Sequence, residues 1–530
     1  MSARHGGPCA NSGAPGRVQQ SEMISRAAIA FCACALLLVP GLTIIGPNTP
    51  IAASDPNAAA AKSPPQPSGE LSPPGKPADP LAEVRMLFSD DRFEEALVEV
   101  RRVVEADPNS APARVLFGDA LYRRGDFEEC EAAYRAGVAI DPNLAAAHFG
   151  VGRILRTLGQ YGEAGASFQR AAALAPDNAK YIRTLSNHAA RRQDVLTLMN
   201  RYVELPPAED ERIIKNVRAW IALLKFLGEE PLGEIVRSDP TDLPLNVLKG
   251  QAYFKADVND LAGQRFAFDT GATGITVSPR LAKRAKLQTI HPFEITGMGG
   301  KGTVQGDLVL IRSLTVGGIS IRNVAATVAE PAGLEEGLMG PSVFGAFRIT
   351  IDLESGTLGL RLNRPPASGS GPAEGGTSPS KQEGGVSPPA PAAPSGSVRL
   401  PFRNVGGQIF VRAMLNGASL NAMVDTGASS SLASLSAVPR VTGLELLPGE
   451  WSSGRVGLAG AMRRRALRAA TLSFADQEFK ADGMGCVDLS RFSKALESEV
   501  YLVIGFPELA RFVFEIDYRA MALTFMPRAS

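Results

Sequence analysis

The sequence predicts a multidomain chain in which an all-α solenoid of helical hairpins is followed by two all-β lobes. Three observations carry that prediction. Pro108, Pro142 and Pro176 are spaced 34 residues apart, and so are Phe93, Phe127 and Tyr161. From about Leu243 the helical apolar period gives way to short runs of Val, Ile and Leu cut by Gly-containing turns. Within that second region Asp-Thr-Gly-Ala occurs twice, at 269–272 and 425–428, each time directly after a short apolar strand.

At 530 residues the chain is long enough for roughly three or four domains. Its net charge of +1 leaves no electrostatic footprint for nucleic acid. Residues 1–46 read as a signal peptide or membrane anchor. Ala27 to Gly46 is charge-free and long enough to span a bilayer as a helix. Arg4, Arg17 and Arg26 precede it and no Lys or Arg follows before Lys62, so the positive-inside rule places the body outside the cytoplasm: exported, periplasmic or extracytoplasmic, and anchored by residues 27–46 if they are retained. Pro40-Gly41 argues against a spanning helix, and Ala52 and Ala53 suit cleavage, so anchor and cleaved signal both stay open. Met23 is an alternative start that would leave Ile24-Ser25-Arg26 as a short basic leader.

Of five cysteines only Cys130 and Cys486 lie in the body, so no disulfide framework is expected. The four histidines are scattered without metal-ligand spacing, and the second lobe has none. No metal, no organic cofactor and no Ser-His-Asp arrangement within that lobe are expected.

Residues 47–77 form a Pro/Ala-rich stalk with too few apolar side chains to fold. Residues 78–193 carry the 34-residue period. Ala96, Cys130 and Ala164 follow each aromatic by three positions, where two helices in close contact need a small side chain. Asp107-Pro108-Asn109 and Asp141-Pro142-Asn143 separate one hairpin from the next, because Pro is tolerated only in a helix's first turn. This pattern resembles tetratricopeptide repeats, with three repeats to Pro176 and a capping helix over Asp177 to Gln193. The resemblance implies a concave face that binds a protein partner; the alternative role is a rigid brace for the β lobes. Residues 194–240 read as a helical connector, since Ile213, Val217, Trp220, Ile221, Leu224 and Leu227 fall at helical spacing and Gly228 suits the stop.

The two β lobes are assigned to 241–364 and 398–530, separated by a disordered Gly/Pro/Ser linker over 365–397. They match beyond the repeated tetrapeptide. Each has a hairpin turn before it, Asn259-Asp260 and Asn416-Gly417. Each has an apolar pair plus Gly after it, Leu338-Met339-Gly340 and Val503-Ile504-Gly505, then Ile351-Asp352 or Ile516-Asp517 at the same interval, and a final apolar strand.

Duplication matters chemically. Two carboxyl groups held ~3 Å apart cannot both ionise and share one proton, so one can accept a proton from water while the other polarises a carbonyl. Beside each Asp, a Thr hydroxyl can bond backbone of the opposite half and a Gly lets the chain turn. The paired halves resemble the retropepsin-like aspartic peptidases, including forms with an Asp-Thr-Gly-Ala core. The fold class that these resemblances imply is an all-α tetratricopeptide solenoid followed by two all-β retropepsin-like acid-protease lobes.

The resemblance implies an aspartic endopeptidase acting on a polypeptide substrate, with Asp269 and Asp425 as catalytic dyad. Thr270, Gly271 and Ala272, and Thr426, Gly427 and Ala428, would support the two loops. It also implies a glycine-rich flap, for which Gly297, Gly299 and Gly300 are candidates, with Gly454 to Gly460 a weaker second. Ala272 and Ala428 stand where pepsin-type enzymes have Ser or Thr, which predicts a weakly rather than strongly acidic optimum. The linker spans roughly 30 Å, enough for the halves to pair within one chain at an effective concentration on the order of mM, in preference to a homodimer. The alternative reading is a non-catalytic exported adaptor that binds peptides through its repeats and lobes.

Overall fold

The computed structural model describes residues 79–206, 210–248, 250–296, 303–330, 336–363, 395–449, 451–455, 461–481, 484–526 and 528. The segments read as targeting sequence and stalk, and most of the linker, lie outside these residues, as do Gly297, Gly299 and Gly300. Among the described residues no helix is long and apolar enough to cross a membrane.

Each 34-residue period folds into two helices. Ala82–Ser89 pairs with Phe93–Ala106, Ala111–Arg124 with Phe127–Ile140, and Ala145–Thr157 with Tyr161–Leu174. The Asp-Pro-Asn breaks work through the Asp side chain, which accepts from the amide two residues on: Asn109 N to Asp107 Oδ1 at 3.1 Å and Asn143 N to Asp141 Oδ1 at 2.9 Å. Ala96, Cys130 and Ala164 are fully buried, as close helix packing requires. Both body cysteines are free thiols, and burial pushes that of Cys486 up to about 11.

The structure corrects the end of the solenoid. Instead of one capping helix over 177–193, there is a fourth hairpin, Ala179–Ser186 with Arg192–Glu204. The helix stops because the amides of Asn187 and His188 bond three residues back, to Thr184 O and Leu185 O, and Arg191 is extended. Helix Glu211–Leu227 comes next, with Val217, Trp220, Ile221 and Leu227 buried and Gly228 at its C-cap. β structure begins earlier than Leu243, because Glu234–Ser238 pairs antiparallel with Ile319–Val328. This edge strand alternates too weakly to declare itself, and its partner lies far along the chain.

The two lobes are built alike. In the first, Gly337–Met339 runs parallel to Leu261–Phe268 and antiparallel to Ile275–Val277. In the second, Leu502–Ile504 runs parallel to Ala418–Val424 and antiparallel to Leu432–Ser434. The apolar pairs Leu338-Met339 and Val503-Ile504 are therefore part of the short central strands beside each Asp loop. The hairpins preceding the Asp residues turn at Asn259 and at Asn416-Gly417, all at positive φ. The Ile-Asp strands supply the join. Phe347–Asp352 pairs antiparallel with Val513–Asp517, Ile349 facing Ile516, at the centre of a six-stranded sheet to which each lobe contributes three strands. One continuous apolar core runs through this shared sheet from Phe254 and Phe344 to Phe514 and Phe525.

The helices pack on both lobes. Phe293, Ile295, Leu308 and Leu310 of the first lobe share a core with Trp220 and Leu223. There Asn216 clamps a strand edge, donating to Glu294 O at 2.8 Å and accepting from Glu294 N at 2.9 Å. The second lobe places Phe410, Phe492, Leu496 and Val503 in the solenoid's own core, among Tyr122, Phe127 and Tyr134.

Candidate active site

Each Asp closes a strand and opens a tight loop. Asp269 N donates to Met339 O at 3.2 Å and Asp425 N to Ile504 O at 3.0 Å, so each loop hangs from the central strand of its own lobe. Within the loops, Gly271 N donates to Asp269 Oδ1 and Gly427 N to Asp425 Oδ1, both at 2.8 Å; Ala428 N adds a bond to Asp425 Oδ1 at 3.1 Å. These amides orient the carboxyl groups toward each other across the lobe boundary.

The threonines lock the two loops together. Thr270 Oγ1 donates to Val424 O at 2.9 Å and accepts from Thr426 N at 2.8 Å. Thr426 Oγ1 reciprocates, donating to Phe268 O at 3.0 Å and accepting from Thr270 N at 3.0 Å. Both side chains are completely buried, so their hydroxyls have no competing water. The geometry is two-fold: each hydroxyl uses one donor and one acceptor function on the opposite lobe.

Asp269 and Asp425 are in hydrogen-bonding contact. Burial pushes both above the usual aspartate range. Asp425 goes well above it, because the charge of Asp269 and the bond to it act in the same direction as burial. At Asp269 the hydrogen bond from Asp425 and the amides of Gly271 and Ala272 partly offset burial. Two buried carboxyls in contact cannot both ionise readily, so between the pair's two titrations they hold one shared proton.

Glycine beside each Asp is a steric necessity as well as a turn device. A Cβ on Gly271 would lie 2.7 Å from the Asp425 carboxyl carbon, and one on Gly427 2.5 Å from that of Asp269. Gly427→Ala is thus expected to drive the carboxyl groups apart and to lower the higher pKa of the pair toward an ordinary aspartate. Carbon-detected titration of the two carboxyls in the variant would show this, and an unchanged titration would contradict it.

Other side chains join the site that the sequence did not single out. Gln251 reaches across from the first lobe, donating to Gly427 O at 3.4 Å while Tyr253 Oη donates to its Oε1 at 2.8 Å. Ser431, the last of the serine run after the second motif, donates to Glu508 and accepts from Gly505 N at 2.8 Å. In the first lobe Ser342 donates to Thr273 O, a different solution at the corresponding loop. The serine run was the one legible hint; Gln251 and Glu508 had no motif around them.

Of the two hairpins that the resemblance offers as flap candidates, only the strands lie among the described residues. Gln288–Thr296 pairs antiparallel with Thr303–Val316, and Ser452–Arg455 with Ala461–Ala466, Gly454 lying opposite Met462. Among the described residues no group of three or more His, Cys, Asp or Glu is placed to hold a metal ion.

Comparison with known families agrees with the two-part architecture. Residues 254–343 match the family model described as aspartyl protease, and residues 81–145 and 115–179 match that of the tetratricopeptide repeat. The chain thus carries tetratricopeptide repeats followed by an aspartyl protease domain. The matched protease span contains Asp269; Asp425 is tied to it by the repeated topology and the Thr270–Thr426 lock. No curated protein matches the chain. Among solved structures, one described as "MamA RS-1 ArsTM double mutant" is similar at 19% identity over 28% of this chain and 82% of its own, with a TM-score of 0.24, too low to carry an argument.

Proposed function

We propose that the chain is an aspartic-type endopeptidase whose single active site lies between its two β lobes. The observation that carries this reading is the meeting of Asp269 and Asp425 on two-fold-related loops locked by Thr270 and Thr426. Water attacks the carbonyl carbon of an extended polypeptide as the charged member of the pair Asp269/Asp425 takes its proton and the protonated member gives its own to the carbonyl oxygen. The resulting diol collapses with cleavage of the C–N bond. One hydroxyl returns its proton to the carboxylate that had protonated the carbonyl oxygen, and the proton taken from water passes from the other carboxyl to the leaving amine, which restores the singly protonated pair. Among the residues present, the amides of Gly271, Gly427 and Ala428 hold the carboxyls in place and the threonine lock keeps the loops from separating. The apolar run 27–46, preceded by Arg4, Arg17 and Arg26 and followed by no Lys or Arg before Lys62, supports placing the folded body outside the cytoplasm. The adaptor alternative needs a solenoid face open to partners, whereas that face is packed against the second lobe.

The test is cleavage of a mixed peptide library by the full chain across pH. Activity needs the singly protonated pair, so it falls on the acid side when the pair takes up a second proton and on the alkaline side when it loses its last one. Because both pKa values are shifted upward, the maximum is expected above the ordinary aspartate value of about 3.9. A maximum below that value would contradict the raised pair, and no cleavage at any pH would remove the peptidase reading.

A further inference from the structure

The face that a tetratricopeptide solenoid would offer to a partner is already in use. Helix Ser490–Leu496 of the second lobe lies against it, with Leu489, Phe492, Leu496 and Val500 buried in the solenoid's core. The helix ends at Glu497 in the left-handed region, φ 53°, with the last turn closed by Ser498 N to Ser493 O at 3.1 Å. Its side chain is seated between two cations of the solenoid. Arg153 Nη1 lies 3.2 Å from Glu497 Oε2, and Lys180 Nζ 2.8 Å from its Oε1. Arg153 is buried, stacked 4.1 Å from the centre of the Tyr122 ring, and also bonded to Asp119 and Tyr134. Although burial pushes the Glu497 carboxyl up, Lys180 and Arg153 hold it well below the usual range, so it stays charged in mild acid.

The charge pattern reverses between centre and rim. At the centre, solenoid cations meet Glu497. At the rim, solenoid acids meet cations of the second lobe: Asp91 with Lys494 at 2.7 Å, Asp126 with Arg412 at 3.2 Å, Glu128 with Arg403 at 2.8 Å, and Glu94 with Arg440. Each exposed pair contributes little by itself. An opposed centre and rim, however, admits one register and rejects a shifted one, which is how charge confers specificity on an interface.

The contact leads directly to the active site. Immediately after Glu497, Ser498 Oγ donates to Tyr122 O at 3.4 Å and Glu499 N to Arg123 O at 2.7 Å. Next in the chain comes Leu502–Ile504, the strand from which the Asp425 loop hangs through Asp425 N to Ile504 O.

We infer that the repeat solenoid is an intramolecular receptor for the chain's own second lobe, and that Glu497, seated between Arg153 and Lys180, is a positioning residue for the Asp425 loop. The solenoid belongs to the scaffold of the active site, and an outside partner reaches its face only by displacing the lobe. The catalytic consequence rests on the peptidase reading; the docking itself does not.

The test uses full-length Glu497→Lys, Glu497→Gln, and Glu497→Lys combined with Lys180→Glu, read by amide hydrogen exchange and by peptide cleavage. Glu497→Lys is expected to raise exchange over 498–504 and 425–428 on the order of ten-fold, with exchange of the first-lobe strand around 309–311 unchanged. It should lower kcat by about the same factor with little change in KM. The Gln variant should fall between, and the charge reversal should restore most of both signals. Unchanged exchange at 425–428, uniform loosening that includes the first lobe, or a kcat that stays level while exchange rises would overturn the inference. If the unsubstituted chain cleaves nothing, the peptidase reading fails, and exchange at 425–428 still decides whether the solenoid positions the loop.

Discussion

Asp269→Asn and Asp425→Asn are each expected to lower kcat by roughly 10²–10⁴-fold or more, although the chain stays folded. Asn keeps the shape of Asp and an acceptor oxygen for the amides of Gly271 or Gly427. What it cannot do is exchange a proton, and with one carboxyl gone neither the base nor the acid has its partner. The stability effect should run the opposite way. A carboxyl with a raised folded-state pKa contributes stability that is complete below its unfolded pKa and is lost as pH rises through the folded one. Both Asp269 and Asp425 are raised, chiefly by burial, so the wild-type pair increasingly destabilises the fold toward neutral pH. Either Asn variant should therefore gain Tm relative to wild type as pH rises from acid to neutral. Single-turnover cleavage and thermal melts across that range measure both. A variant that retains cleavage would show that one lobe suffices; a Tm gain that shrinks with pH would mean the carboxyl is not raised.

The second large effect is expected at the threonine lock. Thr270→Val preserves volume but orphans Thr426 N and Val424 O, and Thr426→Val orphans Thr270 N and Phe268 O. Leaving a buried polar group unpaired costs about 1–3 kcal/mol, so each substitution should cost about 2–6 kcal/mol. The four bonds involve adjacent loops, so the double variant should depart from additivity. Thr→Ser at either position keeps the hydroxyl and should recover most of the loss. Urea unfolding reads the cost, and a Val variant within about 0.5 kcal/mol of wild type would mean that the hydroxyls do not hold the lobes together. Because the lock joins loops 156 positions apart in sequence, its loss should also separate Asp269 from Asp425.

Asp269, Asp425 and their threonines stand out in the sequence because the same tetrapeptide occurs twice with matched flanks, a local signal that needs no three-dimensional knowledge. The 34-residue period was legible for the same reason: Pro108, Pro142 and Pro176 mark hairpins whose helices form from neighbouring residues. Strand Glu234–Ser238 escaped because a short, half-exposed edge strand alternates weakly and takes its identity from Ile319–Val328. The fourth hairpin escaped because the break after Ser186 comes from a tightened last turn, with neither Pro nor Gly at Asn187 or His188 to announce it.

By itself the sequence determined the order of solenoid and lobes, the repeated Asp loops and the chemistry that two such loops make available. All of these are set by short-range pattern, composition and side-chain type. Tertiary structure alone decided that the two lobes share a six-stranded sheet, that Gly271 and Gly427 must lack a Cβ because the opposing carboxyl lies against them, and that the solenoid face is filled by Glu497 from a position 344 residues beyond Arg153. Such contacts depend on which surfaces close on each other, and charge and apolar area select that closure only once every element has formed.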